Sequence, residues 1–470
     1  MEFGMKKNKL KITFIMIAVV VAIALFGGFF VFNDGEEKLF AKNTIVGGVD
    51  ISGLNLAQAS EKMNEKIDSQ CIEASLTLKY GDDEWFFGGG NFTATSNYNE
   101  VLGDVLKDGK SGNFYQNDQG VEVEYIFNGM DNKLEEVFAE IEVEPQNAEV
   151  IFKPDTLQNF EIKEHIVGVM VDRDTLTRDL LRKLKNQKSV VVTIPTTDIM
   201  PEVLTQDVAK YTKKQSEFST DYSKSTPARK DNIKLAFSKI NGTILNPGQE
   251  FSFNETVGER TVENGFKEAK VILAGEYENG VGGGICQAST TLYNAVIRAG
   301  IDVTEVKPHS LPASYVPLSL DAMVSWGYSD LKFTNNTNGP IYIKAFTDDN
   351  KITVYIFGDT LKENQTITPR AELVKTLPHS GDKVVVDTEG KYQDKIMFKG
   401  EYIREKYPQE GYESKAYLDY YENGKLVQSK EIRHDIYNPK QGLVYEGAET
   451  LPEGMTLPAN NVSIILPQVV

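Results

Sequence analysis

The chain has 470 residues, 40% of them hydrophobic and 25% charged, and a formal net charge of −18. That length fits two to four domains of roughly 100–200 residues each, and that composition fits folded protein rather than disorder. The negative charge excludes nucleic acid as the main ligand, because phosphate binding needs a basic face. Two cysteines exclude a disulfide framework and a cysteine-built zinc site, and the four histidines fall into no metal-ligand spacing. Neither a metal nor another cofactor is expected.

The first predicted element is residues 12–32, which carry no charge from Ile12 to Phe32. At about 1.5 Å per residue such a run crosses a hydrocarbon core of about 30 Å. Lys6, Lys7, Lys9 and Lys11 precede it and Asp34, Glu36 and Glu37 follow. The expectation is a transmembrane helix over 12–32, contacting the lipid bilayer, with residues 1–11 in the cytoplasm and the bulk outside. A cleaved signal peptide is the competing reading. Against it, the apolar run is longer than a signal core, and Gly27-Gly28-Phe29-Phe30 is a poor cleavage site.

From Thr44 the text reads as a short strand, a glycine turn and a helix opening after Asn55, with apolar residues at 56, 59 and 63. A similar unit returns at 161–186. There Val167, Val169 and Val171 alternate, Asp172 opens a helix, and Leu176, Leu180, Leu181 and Leu184 form its stripe. Gly88-Gly89-Gly90 lacks a following Lys-Ser/Thr and reads as a turn, not a phosphate loop. The polar stretch Thr212 to Asp231 reads as a linker or an extended strand. Beyond residue 372 the pattern is all-β, with Asn423-Gly424 as a hairpin turn. The expected class is α+β multidomain: an α+β region over 40–210, an α+β domain over 216–358, a small β domain over 372–449 and a tail over 450–470.

The residues with chemical promise lie in GVGGGICQASTTLYNAVIRAGI, residues 280–301. Three glycines lead into Cys286 and then a helix with Ala288, Leu292, Ala295, Val296 and Ala299 on one face, stopped by Gly300. A cysteine in the first turn of a helix meets unpaired N–H groups and the positive dipole end, which favours the thiolate. His309 follows in VKPHSLPASYVP and Asp321 in LSLDAMVSW, each expected on a later β element. In that order His309 would take the thiol proton and Asp321 would orient the imidazole, as in papain-like thiol enzymes. Gln287, or the Cys286 backbone N–H, is the candidate oxyanion donor. Two readings without chemistry stay open: Cys286 as a small core residue, and a Cys71–Cys286 disulfide.

Several stretches resemble known families. FSTDYSKSTPARKDNIKLAFSKINGTILNPGQEFSFNETVG, GGGICQASTTLYNAVIRAG, HSLPASYVPLSLDA and DLKFTNNT resemble the VanW family. Residues from about 75 to 200 resemble a peptidoglycan-binding domain fused upstream of VanW, and 372–449 resemble the G-five domain, proposed to bind N-acetylglucosamine. The resemblance adds weight to Cys286, His309 and Asp321, and points to Arg229 and Asn232 of PARKDNI as holders of a carboxylate or a sugar amide. It implies a Gram-positive cell-envelope protein, membrane-anchored and extracytoplasmic, associated with peptidoglycan. The alternative it leaves open is a thiol peptidase, amidase or transpeptidase acting on wall peptides. A sporulation or germination assembly factor is compatible with every feature and predicted by none.

Overall fold

The computed structural model describes residues 38–108, 115–117, 121–185, 187–273, 276–457 and 462–464. The chain divides into two compact units. One takes residues up to Val143 with Val169–Ile199, and the other takes Glu144–Gly168 with Met200 onward.

The architecture is α+β throughout, and one part of the expected fold is corrected. Among the described residues no helix is long and apolar enough to cross a membrane. The predicted span 12–32, and the bilayer contact expected of it, lie outside the described residues. The longest described helix is one-sided instead. Leu56–Glu73 has 18 residues and buries Ala59, Met63, Ile67 and Cys71 at helical spacing, while its other faces carry Glu61, Lys62, Glu65, Lys66 and Asp68.

In the first unit that helix opens as the sequence suggested. The Asn55 side chain accepts from the Gln58 N–H at 2.8 Å and the Gln58 side chain returns to the Asn55 N–H at 3.1 Å, a reciprocal cap. Leu56 is 43% exposed although it shares the angular face of Met63, because it stands at the very start of the helix. The second unit of the near-repeat is Gly168–Val171 followed by Arg173–Leu184, capped by Asp172. Leu176, Leu180 and Leu184 are buried, but Leu181 lies outside the stripe, since five residues after Leu176 the helix has turned about 140° past a full turn. Ser189–Thr193 pairs in parallel with Ser75–Tyr80, setting Val190 beside Leu76 and Val192 beside Leu78. Gly89 opens a short 3-10 turn, and a Cβ there would lie 2.0 Å from the Ile72 carbonyl oxygen. The glycine run is a close crossing of backbones.

The second unit is built on a four-stranded antiparallel sheet in the order Lys214–Asp221, Lys351–Phe357, Ile341–Thr347, Thr243–Leu245. Of the two readings of Thr212 to Asp231, linker or extended strand, the structure shows the strand, followed by a helix, Pro227–Ile240, capped by Thr226 with Pro227 at its first position. That helix and the helix Ile285–Arg298 share one core with the sheet, through Ile233, Phe237, Leu292, Val296, Val354 and Ile356. C-terminal to it, Gln365–Leu377, Gly411–Glu422 and Lys425–Tyr437 form an antiparallel sheet whose hairpin turns at Asn423-Gly424, both at positive φ. A second β layer pairs Asp382–Val386, Gly442–Glu446, Tyr402–Lys406 and Val462–Ile464. Ile367, Ala416 and Leu418 of this β module join the same core as the cysteine helix.

Candidate functional site

The helix Ile285–Arg298 is capped by Gly284 at φ 103° and carries Cys286 in its first turn. There helix N–H groups have no intrahelical carbonyl to reach. The glycines before it serve the protein's own packing rather than room for a ligand. A Cβ at Gly283 would lie 2.6 Å from the Lys270 carbonyl oxygen, and one at Gly284 would lie 2.8 Å from Arg229 Cγ. Asn232 fastens this turn. Its amide donates to the Lys267 carbonyl at 2.9 Å and the Gly283 carbonyl at 3.0 Å, and its carbonyl accepts from the Lys267 N–H at 2.7 Å.

Every residue from Gln287 to Ile297 is buried, so the cysteine helix has no solvent face. Its polar side chains hold the loop that carries Asp321. The Ser289 hydroxyl donates to the Ala322 carbonyl at 2.6 Å, Thr290 accepts from the Ala322 N–H at 2.9 Å, and Asn294 donates to the Leu320 carbonyl at 2.7 Å. His309 and Asp321 both sit in irregular chain between strands, not on the β elements expected for them. The dense net of side-chain bonds replaces a sheet ladder as their support.

The three residues meet. His309 Nδ1 lies 2.6 Å from Asp321 Oδ2, and the same oxygen accepts the His309 backbone N–H at 2.7 Å. The imidazole is also hydrogen-bonded to the Cys286 side chain, which leaves Nε2 as the nitrogen facing sulfur. The thiol donates to the Val324 carbonyl at 3.4 Å. His309 and Asp321 are 5% and 1% exposed, whereas Cys286 keeps a partly accessible surface. Burial alone pushes the thiol up, but the His309 hydrogen bond and charge, with the Arg260 charge behind them, bring it below its ordinary value. Burial likewise opposes the imidazolium, yet Asp321 and Cys286 together hold His309 up to about 10. Burial also opposes the Asp321 carboxylate, and His309 and Arg433 keep it below its ordinary value. The three shifts run in the direction that favours a thiolate–imidazolium pair backed by a carboxylate.

The other predicted residues fare differently. Both amide hydrogens of Gln287 are in use, donated to Thr220 Oγ1 at 3.0 Å and the Asp221 carbonyl at 2.8 Å. Its side chain is a strut between helix and sheet, which leaves the Cys286 N–H as the surviving oxyanion candidate. Asn232 is 1% exposed and its polar atoms are bonded within the protein, so it positions the glycine turn and presents nothing to a ligand. Arg229 donates to Ser225 Oγ at 2.5 Å and lies half-buried against Gly284. Both cysteines are free thiols, and Cys71 is buried on its helix with its pKa raised by that burial. Among the described residues no three His, Cys, Asp or Glu side chains gather into a metal-ligand set.

Sequence reasoning missed four contributors. Arg260 has both terminal nitrogens buried without a hydrogen-bond partner among the described residues; its stem lies on Gly282, four residues before the nucleophile. Tyr315 is turned to Thr290 beside the thiol, its hydroxyl pKa raised by burial and the Cys286 charge. Tyr437 and Arg433, from the β module, reach Asp321. Only a run of uncharged polar residues, Ser289-Thr290-Thr291 and Asn294, signalled that the cysteine helix is buried on all sides.

A helix-borne cysteine, a histidine and a carboxylate thus meet in one buried cluster. Residues 228–357 match the family model described as VanW like protein, and residues 91–192 match the one described as Putative peptidoglycan binding domain. The chain therefore carries a VanW-like domain downstream of a stretch similar to the Putative peptidoglycan binding domain. It is 41% identical over 155 residues to "Uncharacterized protein YoaR" of Bacillus subtilis (strain 168), a match covering 33% of this chain and 51% of that protein. It is 31% identical over 133 residues to "Vancomycin B-type resistance protein VanW" of Enterococcus faecalis (strain ATCC 700802 / V583), covering 27% and 48%. The chain thus spans about half the length of these curated relatives. Among solved structures, the IgA1 protease G5 domain aligns at 9% identity and TM-score 0.13, and HP0197-G5 at 13% and 0.11. Each covers 18% of this chain, and 94% and 97% of the respective G5 domain. At those scores the β module is described by its own strands alone.

Proposed function

We propose that the VanW-like domain is a thiol acyl-transfer centre acting on peptides of the cell wall, outside the cytoplasm. One observation carries this reading: a single buried imidazole bonded to Asp321 through Nδ1 and to Cys286 on its other side. The thiolate adds to a peptide carbonyl carbon and a C–S bond forms. As the C–N bond breaks, His309 gives its Nε2 proton to the leaving amine. Water or a second amine then attacks the thioester, His309 takes a proton from it, and the C–S bond breaks to restore the thiolate. The Cys286 N–H in the first turn, and the Arg260 charge behind it, stabilise the negative charge on sulfur and on the tetrahedral oxygen.

The pH dependence follows from the two shifts. The thiolate is present above a lowered thiol pKa, and the proton for the leaving group is lost as pH rises through about 10. Peptide release from wall fragments should give a bell-shaped profile with its alkaline limb near about 10. Iodoacetamide alkylation of Cys286 in a Cys71→Ala chain should titrate below the free-thiol value of about 8.5. Arg260→Met should raise that inflection, because it removes the nearby positive charge. Protection of Cys286 at every pH below unfolding would sink the proposal.

Contact with glycan is proposed at Trp326 and Tyr328. They stand 48% and 70% exposed on the turn that directly follows Val324, the thiol's acceptor. Asn254 fixes that turn by donating to the Ser329 carbonyl at 2.9 Å, and Lys307 Nζ lies 4.8 Å from the Tyr328 ring centre. Trp326→Ala should weaken sedimentation with insoluble wall fragments roughly three- to tenfold, the value of one stacking contact. A chain this acidic gains little from charge, so added salt should change binding little. A steep salt dependence would contradict stacking as the mode of contact.

A further inference from the structure

Asp321 is gripped from two sides. Its Oδ2 holds His309, while Oδ1 accepts the Tyr437 hydroxyl at 2.7 Å and lies 3.6 Å from Arg433 Nη2. Tyr437 also accepts the Ser319 N–H at 2.9 Å, and Arg433 Nη1 donates to the Asp321 backbone carbonyl. Ser414 meets Ser319, hydroxyl to hydroxyl, at 2.6 Å. Ser319 itself sits at φ 60°, a conformation a non-glycine residue holds only when its surroundings enforce it. Tyr437, Arg433 and Ser414 all belong to the long strands of the β module, some ninety to one hundred and twenty residues beyond the loop they hold. Tyr437 is 1% exposed, and Arg433 is 6% exposed with Asp435 paired to it at 2.8 Å and Tyr293 of the cysteine helix beneath it.

We infer that the C-terminal β module is a working part of the acyl-transfer site, with Tyr437 and Arg433 as the positioning residues that hold Asp321 ionised and aligned on His309. The inference rests on the thiol-centre reading above. Burial drives a carboxylate toward its protonated form, and only donors on both oxygens oppose that. His309 supplies donors to one oxygen from within the VanW-like domain. The module supplies those on the other, and its Asp435 balances the second charge. On the far side of the imidazole, Cys286 faces Tyr315 and Arg260. Remove the module's hydroxyl and Asp321 is free to turn or to take a proton. The imidazolium then loses its counter-charge, and the thiolate loses the imidazolium.

The test is the pH dependence of Cys286 alkylation in the full chain, in a Cys71→Ala background, with thermal unfolding recorded alongside. Tyr437→Phe keeps the buried ring and removes one oxygen; Arg433→Lys keeps a cation and loses the planar fork. Asp321→Asn sets the scale for a lost carboxylate. Each of the two positioning variants should move the inflection upward by about one unit. In an Asp321→Asn background Tyr437→Phe should move it no further, which a merely structural role does not produce. A wild-type inflection in Tyr437→Phe and Arg433→Lys, while Asp321→Asn shifts, would overturn the inference and leave the thiol centre standing. An unshifted inflection in the wild-type chain itself would overturn both.

Discussion

Cys286→Ala is expected to abolish acyl transfer on wall peptides, by on the order of 10⁴-fold or more, while the chain stays folded. The size follows from the way nucleophile, base and orienting acid act as a unit, so that losing the nucleophile removes nearly the whole covalent route. The substitution deletes one sulfur from a partly accessible position and leaves the Asn232 clasp and the Ser289, Thr290 and Asn294 bonds in place. His309→Ala should cost about as much, and in addition should return the Cys286 alkylation profile to that of an ordinary thiol. Stability carries a matching signature. The His309 pKa is raised, so the stability its ion pair gives is complete below about 6.5 and fades as pH rises through about 10; the lowered Asp321 pKa makes its share fade only as pH falls through the acid range. Unfolding temperatures measured from pH 4 to 11 should show the wild type losing its margin over His309→Ala above pH 9. Unchanged turnover in Cys286→Ala would remove the thiol mechanism altogether.

Asn232→Leu should be the most damaging substitution away from the triad. Leucine keeps the branched four-atom shape but strands the Lys267 N–H and the Lys267 and Gly283 carbonyls in a site where Asn232 is 1% exposed. Each buried polar group left without a partner costs about 1–3 kcal/mol, so a loss of roughly 3 kcal/mol or more is expected. The Gly282–Gly284 turn then loses its anchor, and with it the placement of Cys286 at the helix start. Denaturant unfolding reads the first effect and Cys286 alkylation at neutral pH reads the second. A loss below about 1 kcal/mol would show that water satisfies these groups, and the clasp would lose its structural role.

How far the sequence reached can be judged from particular residues. Local signals were sound because they depend on neighbours in the chain. Asn55 and Asp172 cap their helices, Asn423-Gly424 turns its hairpin, and Cys286 opens its helix as the glycine run implied. The order of Cys286, His309 and Asp321 was legible as chemistry, although nothing in their spacing required them to touch. The amides of Gln287 and Asn232 are bonded within the protein, which the sequence could not show: an amide looks the same whether its hydrogens face a ligand or a backbone carbonyl. The polar residues of 214–221 left linker and strand both open, and pairing with Lys351–Phe357 makes it a strand.

What the sequence determined by itself was therefore composition-level and local: a folded acidic chain, capped helices, β hairpins, and a cysteine where a helix dipole favours its thiolate. What only the tertiary structure decided was every contact made across long separations. Parallel pairing of Ser75–Tyr80 with Ser189–Thr193, the lone guanidinium of Arg260 near the thiol, and the seat of Asp321 under Tyr437 and Arg433 are all of this kind. Such contacts form when a shared core brings distant segments together, and the energies that fix them, burial and satisfied hydrogen bonds, belong to the folded whole rather than to any local stretch of chain.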